Sequence, residues 1–244
     1  MADLILATDD NDAPESFASL QGEGPSAGTP VAFVRLSRCN LACTWCDTAY
    51  TWCFDEELEH RDGIAYDRKA NQIALSPQDA AERIAATGQR RLVITGGEPL
   101  LQGGALADML AHLPDMQIEI ETNGTTKAPA HVDIRVDQYN VSPKLAHSGN
   151  TAELALIPER LEAYGDDPRA FFKFVIARPG DVDEVLALQK AHGLNSERIF
   201  LMPEGTSSEA LRARQEWLSP LCMKHGFRMS DRLHIHLYGD ERGT

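Results

Sequence analysis

The sequence predicts an α/β fold on a largely parallel sheet of about six strands, a partial TIM-like barrel short of the eight strands that close one. Two observations carry this. Short apolar, β-branched runs alternate with helix-length stretches along the 244 residues. Polar motifs recur where those runs end, which is where barrels and open α/β sheets place their ligands. No internal repeat, low-complexity block or second domain interrupts the pattern, so residues 1–244 are expected to form one domain.

Residues 1–13 are acidic and polar and are expected to fray as a flexible N-terminus. Residues 15–24 and a Gly/Pro/Ser loop over 25–30 lead into a strand at 31–36, with Ala32, Val34 and Leu36 on one face and Phe33 and Arg35 on the other. A loop holding three cysteines follows. Residues 54–71 are charge-rich and weakly patterned, an excursion after that loop. Ser76-Pro77 opens a helix that stops near Gly88, combining an N-cap with a proline at the first position. A strand at 91–95 delivers Gly96-Gly-Glu-Pro99, and a helix over 105–113 follows. Strands at 117–122 and 136–141 end in Asn123-Gly124 and Ser142-Pro-Lys144. Beyond them come a strand at 171–176, a helix over 181–193 and a strand at 198–202 ending in Met202-Pro-Glu-Gly205. A helix capped by Ser207 or Ser208 runs to about His225, and residues 232–238 read as a terminal strand.

Lys and Arg total 23 against 37 Asp and Glu, a net charge of −14. Such a chain is a poor non-specific partner for nucleic acid or for an anionic membrane surface. No apolar run approaches the ~18 residues that cross a bilayer. The first 34 residues carry no Lys or Arg, so no secretory or transit signal is read, and a cytoplasmic location is expected.

Three of the five cysteines fall within eight residues, Cys39-Asn-Leu-Ala-Cys43-Thr-Trp-Cys46. Three thiolates from one loop, with no obvious fourth, leave one coordination position open. A four-iron cluster held this way keeps one iron free for a small molecule. From spacing alone, a zinc site completed by His60 or Cys53 competes equally.

The cysteine spacing, followed fifty residues later by Gly96-Gly-Glu-Pro99, resembles the radical S-adenosylmethionine superfamily. Phe17-Ala-Ser-Leu-Gln-Gly-Glu-Gly24, Cys46-Asp-Thr-Ala-Tyr-Thr-Trp52, Glu121-Thr-Asn-Gly124, Ser142-Pro-Lys144 and Arg232-Leu-His234 narrow the resemblance to the 7-carboxy-7-deazaguanine synthase family. The resemblance implies a carbon–nitrogen lyase of queuosine or deazapurine biosynthesis. It would contract 6-carboxy-5,6,7,8-tetrahydropterin to 7-carboxy-7-deazaguanine with loss of ammonia. The implied cofactors are a [4Fe-4S] cluster on Cys39, Cys43 and Cys46, S-adenosylmethionine, and Mg²⁺ on Thr48.

It also implies substrate contacts from Leu20, Gln21, Gly22, Glu23, Arg35, Thr95 and His234, with His236 a rival for the last. Trp45, Cys46, Asp47, Gly97, Ser142, Pro143, Lys144, Met202, Pro203, Glu204 and Gly205 would surround S-adenosylmethionine, with Lys144 or Lys173 neutralising its carboxylate. No side chain is implied as a catalytic acid or base, because the cofactor carries the difficult chemistry. An electron donor such as flavodoxin or ferredoxin and a homodimer are further implications; direct contact with nucleic acid is not. Two rivals remain at this stage, a glycyl-radical-enzyme activase of the same superfamily and a non-catalytic zinc-binding interaction module. Cys53 and Cys222 read as buried free thiols.

Overall fold

The computed structural model describes residues 2–55 and 63–244. Its strands are β1 (Leu4–Ala7), β2 (Ser16–Leu20), β3 (Pro30–Leu36), β4 (Gln72–Leu75), β5 (Arg91–Gly96), β6 (Gln117–Thr122), β7 (Gln138–Val141), β8 (Ala170–Ile176), β9 (Ile199–Pro203) and β10 (Arg228–Met229). The α-helices are α1 (Arg68–Asn71), α2 (Pro77–Ala86), α3 (Gly103–Ala111), α4 (Ala130–Asp133), α5 (Ala152–Ala155), α6 (Pro158–Asp166), α7 (Asp181–His192), α8 (Ser208–His225) and α9 (Leu233–Tyr238).

The sheet runs β10-β9-β8-β7-β6-β5-β3-β1-β4, with β2 also paired to β3. From β3 through β9 the neighbours in this order are parallel, six strands in all, and the two-residue β10 adds a seventh. The sheet ends on β10 at one side and β4 at the other, so it is a partial barrel rather than a closed one. Local signals act as expected: Ser76 Oγ accepts from Asp79 N at 3.1 Å to cap α2, and Gly193 ends α7 in the left-handed region at φ 62°.

Alternation along the strands divides their side chains between two environments. Ala32, Val34, Leu36, Leu92, Ile94, Ile118, Ile120, Phe172 and Phe174 join one buried apolar cluster with Ile84, Leu106, Leu110 and Val185 from the helices. The opposite faces carry Arg35, Thr95, Glu121 and Lys173, which line a cavity inside the curved sheet.

Two expectations are corrected. Residues 1–13 do not simply fray: Leu4, Leu6 and Ala7 are fully buried, and β1 pairs antiparallel with β4 from Leu4↔Leu75 to Ala7↔Gln72. A four-residue apolar run between acidic flanks is below what composition resolves, and its partner strand lies 68 residues on in sequence. Residues 232–238 are not a strand either. Leu233, Ile235 and Leu237 alternate, yet only Ile235 is buried; Leu233 N donates to Gly22 O at 2.9 Å and the segment winds into α9. A contact made 211 residues away overrides a period of two held over seven residues.

Within the predicted excursion, Asp67 caps α1 and Tyr66 N donates to Cys53 O at 2.8 Å; His60 lies outside the described residues. Among the described residues, no helix is long and apolar enough to cross a membrane.

Candidate active site

Strand exits converge on the cysteine loop. Gly97 N donates to Leu36 O at 3.0 Å and Glu98 N to Arg38 O at 2.9 Å, so the β5 exit lies flush against the chain leaving β3. A Cβ on Gly97 would stand 2.1 Å from Arg38 O, an approach that only glycine permits. Glu98, fully buried, then accepts from Leu100 N at 3.1 Å, Thr122 Oγ1 at 2.9 Å and Asn123 N at 2.8 Å, tying the β5 and β6 exits together. Burial raises its carboxyl to about 7, and the hydrogen bonds from Asn123, Leu100 and Thr122 only partly offset this.

The cavity framed by these exits has a volume of about 410 Å³. Cys39, Cys43 and Cys46 line it. Burial pushes the Cys39 thiol up to about 12 and Cys43 to about 11, and raises Cys46 as well. Thiols so placed become thiolates only when a cation takes up their charge, which suits metal ligands rather than free nucleophiles.

Among the described residues no three His, Cys, Asp or Glu side chains converge on a single-ion position. A cluster that offers each thiolate its own iron requires no such convergence. Trp45, beside these sulfurs, has a buried Nε1 with no hydrogen-bond partner among the described residues. The donor set, three buried thiols that charge only against a cation, fits an iron–sulfur cluster with one iron left open for S-adenosylmethionine.

The other expected cofactor neighbours, Asp47, Gly97, Ser142, Lys144, Met202, Pro203, Glu204 and Gly205, also line the cavity. Pro143, between Ser142 and Lys144, is not part of that lining. Lys144 Nζ donates to Ser142 Oγ at 2.8 Å and lies 5.6 Å from the centre of the Trp45 ring, which stacks on His147. Thr48, the expected Mg²⁺ ligand, lines the cavity with its Oγ1 3.6 Å from Cys46 Sγ.

A charged group of side chains lines the same cavity. Leu20, Gln21, Gly22, Glu23, Arg35, Thr95 and His234 are all part of that lining. Glu23 accepts from Lys173 Nζ at 2.5 Å and from Arg232 Nε at 3.0 Å. Burial would raise the Glu23 carboxyl, but the attraction of Lys173 and then Arg232 overrides it and holds the group well below the usual carboxylate range. Lys173 Nζ also donates to Glu121 Oε2 at 2.8 Å, so it is paired with two carboxylates of the chain itself, whereas Lys144 Nζ donates to a hydroxyl, Ser142 Oγ.

Gln21 Nε2 donates to Glu119 Oε1 at 2.7 Å, and Asn140 Nδ2 donates to the same oxygen at 2.7 Å. Arg35 Nε pairs with buried Glu15 at 2.7 Å, and Tyr50 OH donates to the second Glu15 oxygen at 2.9 Å. His234 faces the cavity, packed so tightly on Gly22 that a Cβ there would stand 2.1 Å from its Nδ1. His236 instead bonds Ser208 Oγ at 2.8 Å and Asp231 at 3.1 Å, which settles which histidine faces inward.

Arg232 was legible only as part of a motif. The residue is 7% exposed and its guanidinium bonds Glu23, Gly205 O and Asp47 at once, so one side chain joins the Gln-Gly-Glu segment, the β9 exit and the cysteine loop. Glu119, Glu121 and Asn140 were missed as a group, because the alternation of β6 and β7 says that they face away from the helices but not that they meet. Residues 239–242 and Thr244 also line the cavity, with Arg242 stacked 3.7 Å over the Tyr50 ring.

Comparison with known proteins agrees with this geometry. Residues 34–210 match the model of the radical SAM superfamily. The chain is 36% identical to the 7-carboxy-7-deazaguanine synthase of Pyrobaculum aerophilum over 94% of this chain and 95% of that one. It is 37% identical to the synthase of Halobacterium salinarum, over 94% and 91%, and 30% identical to that of Escherichia coli K12, over 91% and 96%. The crystal structure of QueE from Escherichia coli superposes with a TM-score of 0.64 at 28% identity, covering 94% of this chain and 95% of that chain. The chain therefore belongs to the radical SAM superfamily and, within it, to the 7-carboxy-7-deazaguanine synthases.

Proposed function

We propose that this chain converts 6-carboxy-5,6,7,8-tetrahydropterin to 7-carboxy-7-deazaguanine, releasing ammonia. The observation that carries this is one cavity lined both by the three cysteines and by Gln21, Glu23, Arg35 and His234. When bound, the [4Fe-4S] cluster on Cys39, Cys43 and Cys46 and the S-adenosylmethionine on its open iron supply the radical chemistry.

The residues of the chain bind and orient. Glu23, kept ionised by Lys173 and Arg232, accepts hydrogen bonds from the amino and ring N–H edge of the pterin without taking a proton. Gln21 is held by Glu119 so that its carboxamide lies along the same edge, with backbone groups of Leu20 and Gly22 beside it. Arg35, its Nε fixed by Glu15, offers its remaining N–H groups to the substrate carboxylate. Thr95 and His234 close the site around the ring, and burial keeps His234 on the neutral side of its ordinary value. Trp45, Asp47, Gly97, Ser142, Lys144 and residues 202–205 hold the methionine and adenosine parts of the cofactor. Thr48 ligates Mg²⁺ only with oxygens from substrate and water, since one hydroxyl is a weak site for a hard cation. A flavodoxin or ferredoxin as reductant, a homodimeric assembly, a cytoplasmic location and the absence of direct nucleic-acid contact complete the reading.

Anaerobic incubation of the reconstituted protein with S-adenosylmethionine, dithionite and carboxytetrahydropterin tests it. Equal amounts of deazaguanine chromophore and ammonia are expected. A colourless protein that contains zinc, lacks iron and forms no product would overturn the reading.

A further inference from the structure

We infer that Asn150 and Trp52 are positioning residues for the cluster, donating to the ligand sulfurs of Cys43 and Cys46 and raising the reduction potential of the centre those sulfurs hold. The inference rests on the cluster assignment above.

Neither side chain lies within the Cys39-to-Cys46 segment itself. Asn150 lies on the turn after Ser148, more than a hundred residues from Cys43, and its carboxamide is fixed from both ends. Its Oδ1 accepts from Ala42 N at 3.0 Å, which leaves Nδ2 to donate to Cys43 Sγ at 3.3 Å and to Ser148 Oγ at 3.2 Å. The turn is itself docked on the loop, since Thr44 N donates to Ser148 O at 2.9 Å. Trp52 follows a short 3₁₀ turn (Ala49–Thr51), with its N–H bonded to Ala49 O at 3.0 Å, and its indole Nε1 donates to Cys46 Sγ at 3.3 Å. The third sulfur, Cys39 Sγ, receives Leu41 N at 3.5 Å. Asn123 Nδ2 also reaches Cys39 Sγ, at a longer 3.9 Å, and Thr48 Oγ1 lies 3.6 Å from Cys46 Sγ, so each ligand sulfur has at least one N–H donor and the two shortest of these come from the exchangeable side chains of Asn150 and Trp52.

Reduction adds one electron to a cluster whose charge is spread over its sulfurs. An N–H dipole aimed at a ligand sulfur stabilises the more negative state, so removing the donor lowers the potential. A donor needed only to shape the loop would change cluster loading instead.

The test is an anaerobic dithionite titration of the cluster-loaded protein, followed by electron paramagnetic resonance, on wild type, Trp52→Phe and Asn150→Ala. Phe keeps the ring in place and removes only the N–H. Each variant is expected to retain its iron and sulfide. Poised at the wild-type midpoint, each should hold a reduced-to-oxidised ratio lower by about three- to tenfold, tenfold being about 59 mV for a one-electron couple. If Asn150→Ala loses its cluster through the lost bond to Ala42, Trp52→Phe alone decides. Full loading with an unshifted midpoint overturns the inference and leaves the cluster assignment standing. A wild-type protein that takes up no iron overturns both.

Discussion

Near Cys39, Glu98 is buried among the N–H groups of Leu100 and Asn123 and the hydroxyl of Thr122; on the cavity wall, Glu23 is buried between the full charges of Lys173 and Arg232. The two carboxylates share a cavity framework and shift in opposite directions, Glu98 upward and Glu23 downward. Neutral donors do not repay the loss of hydration of a charge, whereas two cations more than repay it. Each choice suits what sits nearby. On the function proposed above, the cysteines receive a cofactor that brings its own charge, and Glu23 stays ionised for a substrate with N–H donors.

The sharpest way to break the comparison is at the cysteines. Cys43→Ala should abolish both iron uptake and turnover while the fold persists; full turnover from this variant would remove the cluster from the account. In the charged group, Arg232→Met leaves Glu23 and Asp47 buried beside one cation fewer. Denaturant unfolding should show a loss of about 3–5 kcal/mol, the range for breaking a buried pair from one side. A loss below about 1 kcal/mol would mean that the three segments it joins are held otherwise.

The two carboxylates should then separate by pH. A raised carboxyl makes the folded state bind protons that the unfolded state releases, so its stability penalty grows between about 4.5 and about 7. Relative to Glu98→Gln, wild type should lose about 2–4 kcal/mol over that interval, at about 1.4 kcal/mol per unit. Glu23 has the opposite sign: its contribution is present above about 4.5 and is lost as pH falls below that, so wild type should lose its advantage over Glu23→Gln on acidification. Parallel pH profiles for the two variants would contradict the assignment. The smallest expected effect is Arg35→Ala, with iron content unchanged and KM for the carboxylated pterin raised about tenfold, the loss of roughly one charge-assisted hydrogen bond. An unchanged KM would remove Arg35 from the substrate contacts.

The cysteines and the charged group also differ in how much of them the sequence reveals. Cys39, Cys43, Cys46 and Gly96-Gly97 are neighbours in the chain, so spacing alone places them, and the strands that deliver them carry unambiguous apolar runs. The charged group is assembled from β2, β6, β7, β8 and the residues before α9, with partners as far apart as Glu23 and Arg232. Alternation shows which side of a strand Lys173 or Glu121 occupies, but ion pairing depends on sheet curvature, which leaves no local trace. The same limit explains the terminal segment. Its alternating residues suit a strand, and a helix forms because Leu233 is bound to Gly22 and Arg232 is anchored on three segments.

If one cavity holds both cofactor and substrate, the adenosyl radical chemistry supplied at the cysteines would act on the hydrogen at C6 of the pterin, and the most direct test is a single turnover with carboxytetrahydropterin carrying deuterium at C6, followed by mass spectrometry of the recovered adenosyl compounds. The account predicts deuterium in the adenosyl group of S-adenosylmethionine or 5′-deoxyadenosine, accompanying formation of the deazaguanine. Product formed with no deuterium in any adenosyl compound would contradict it.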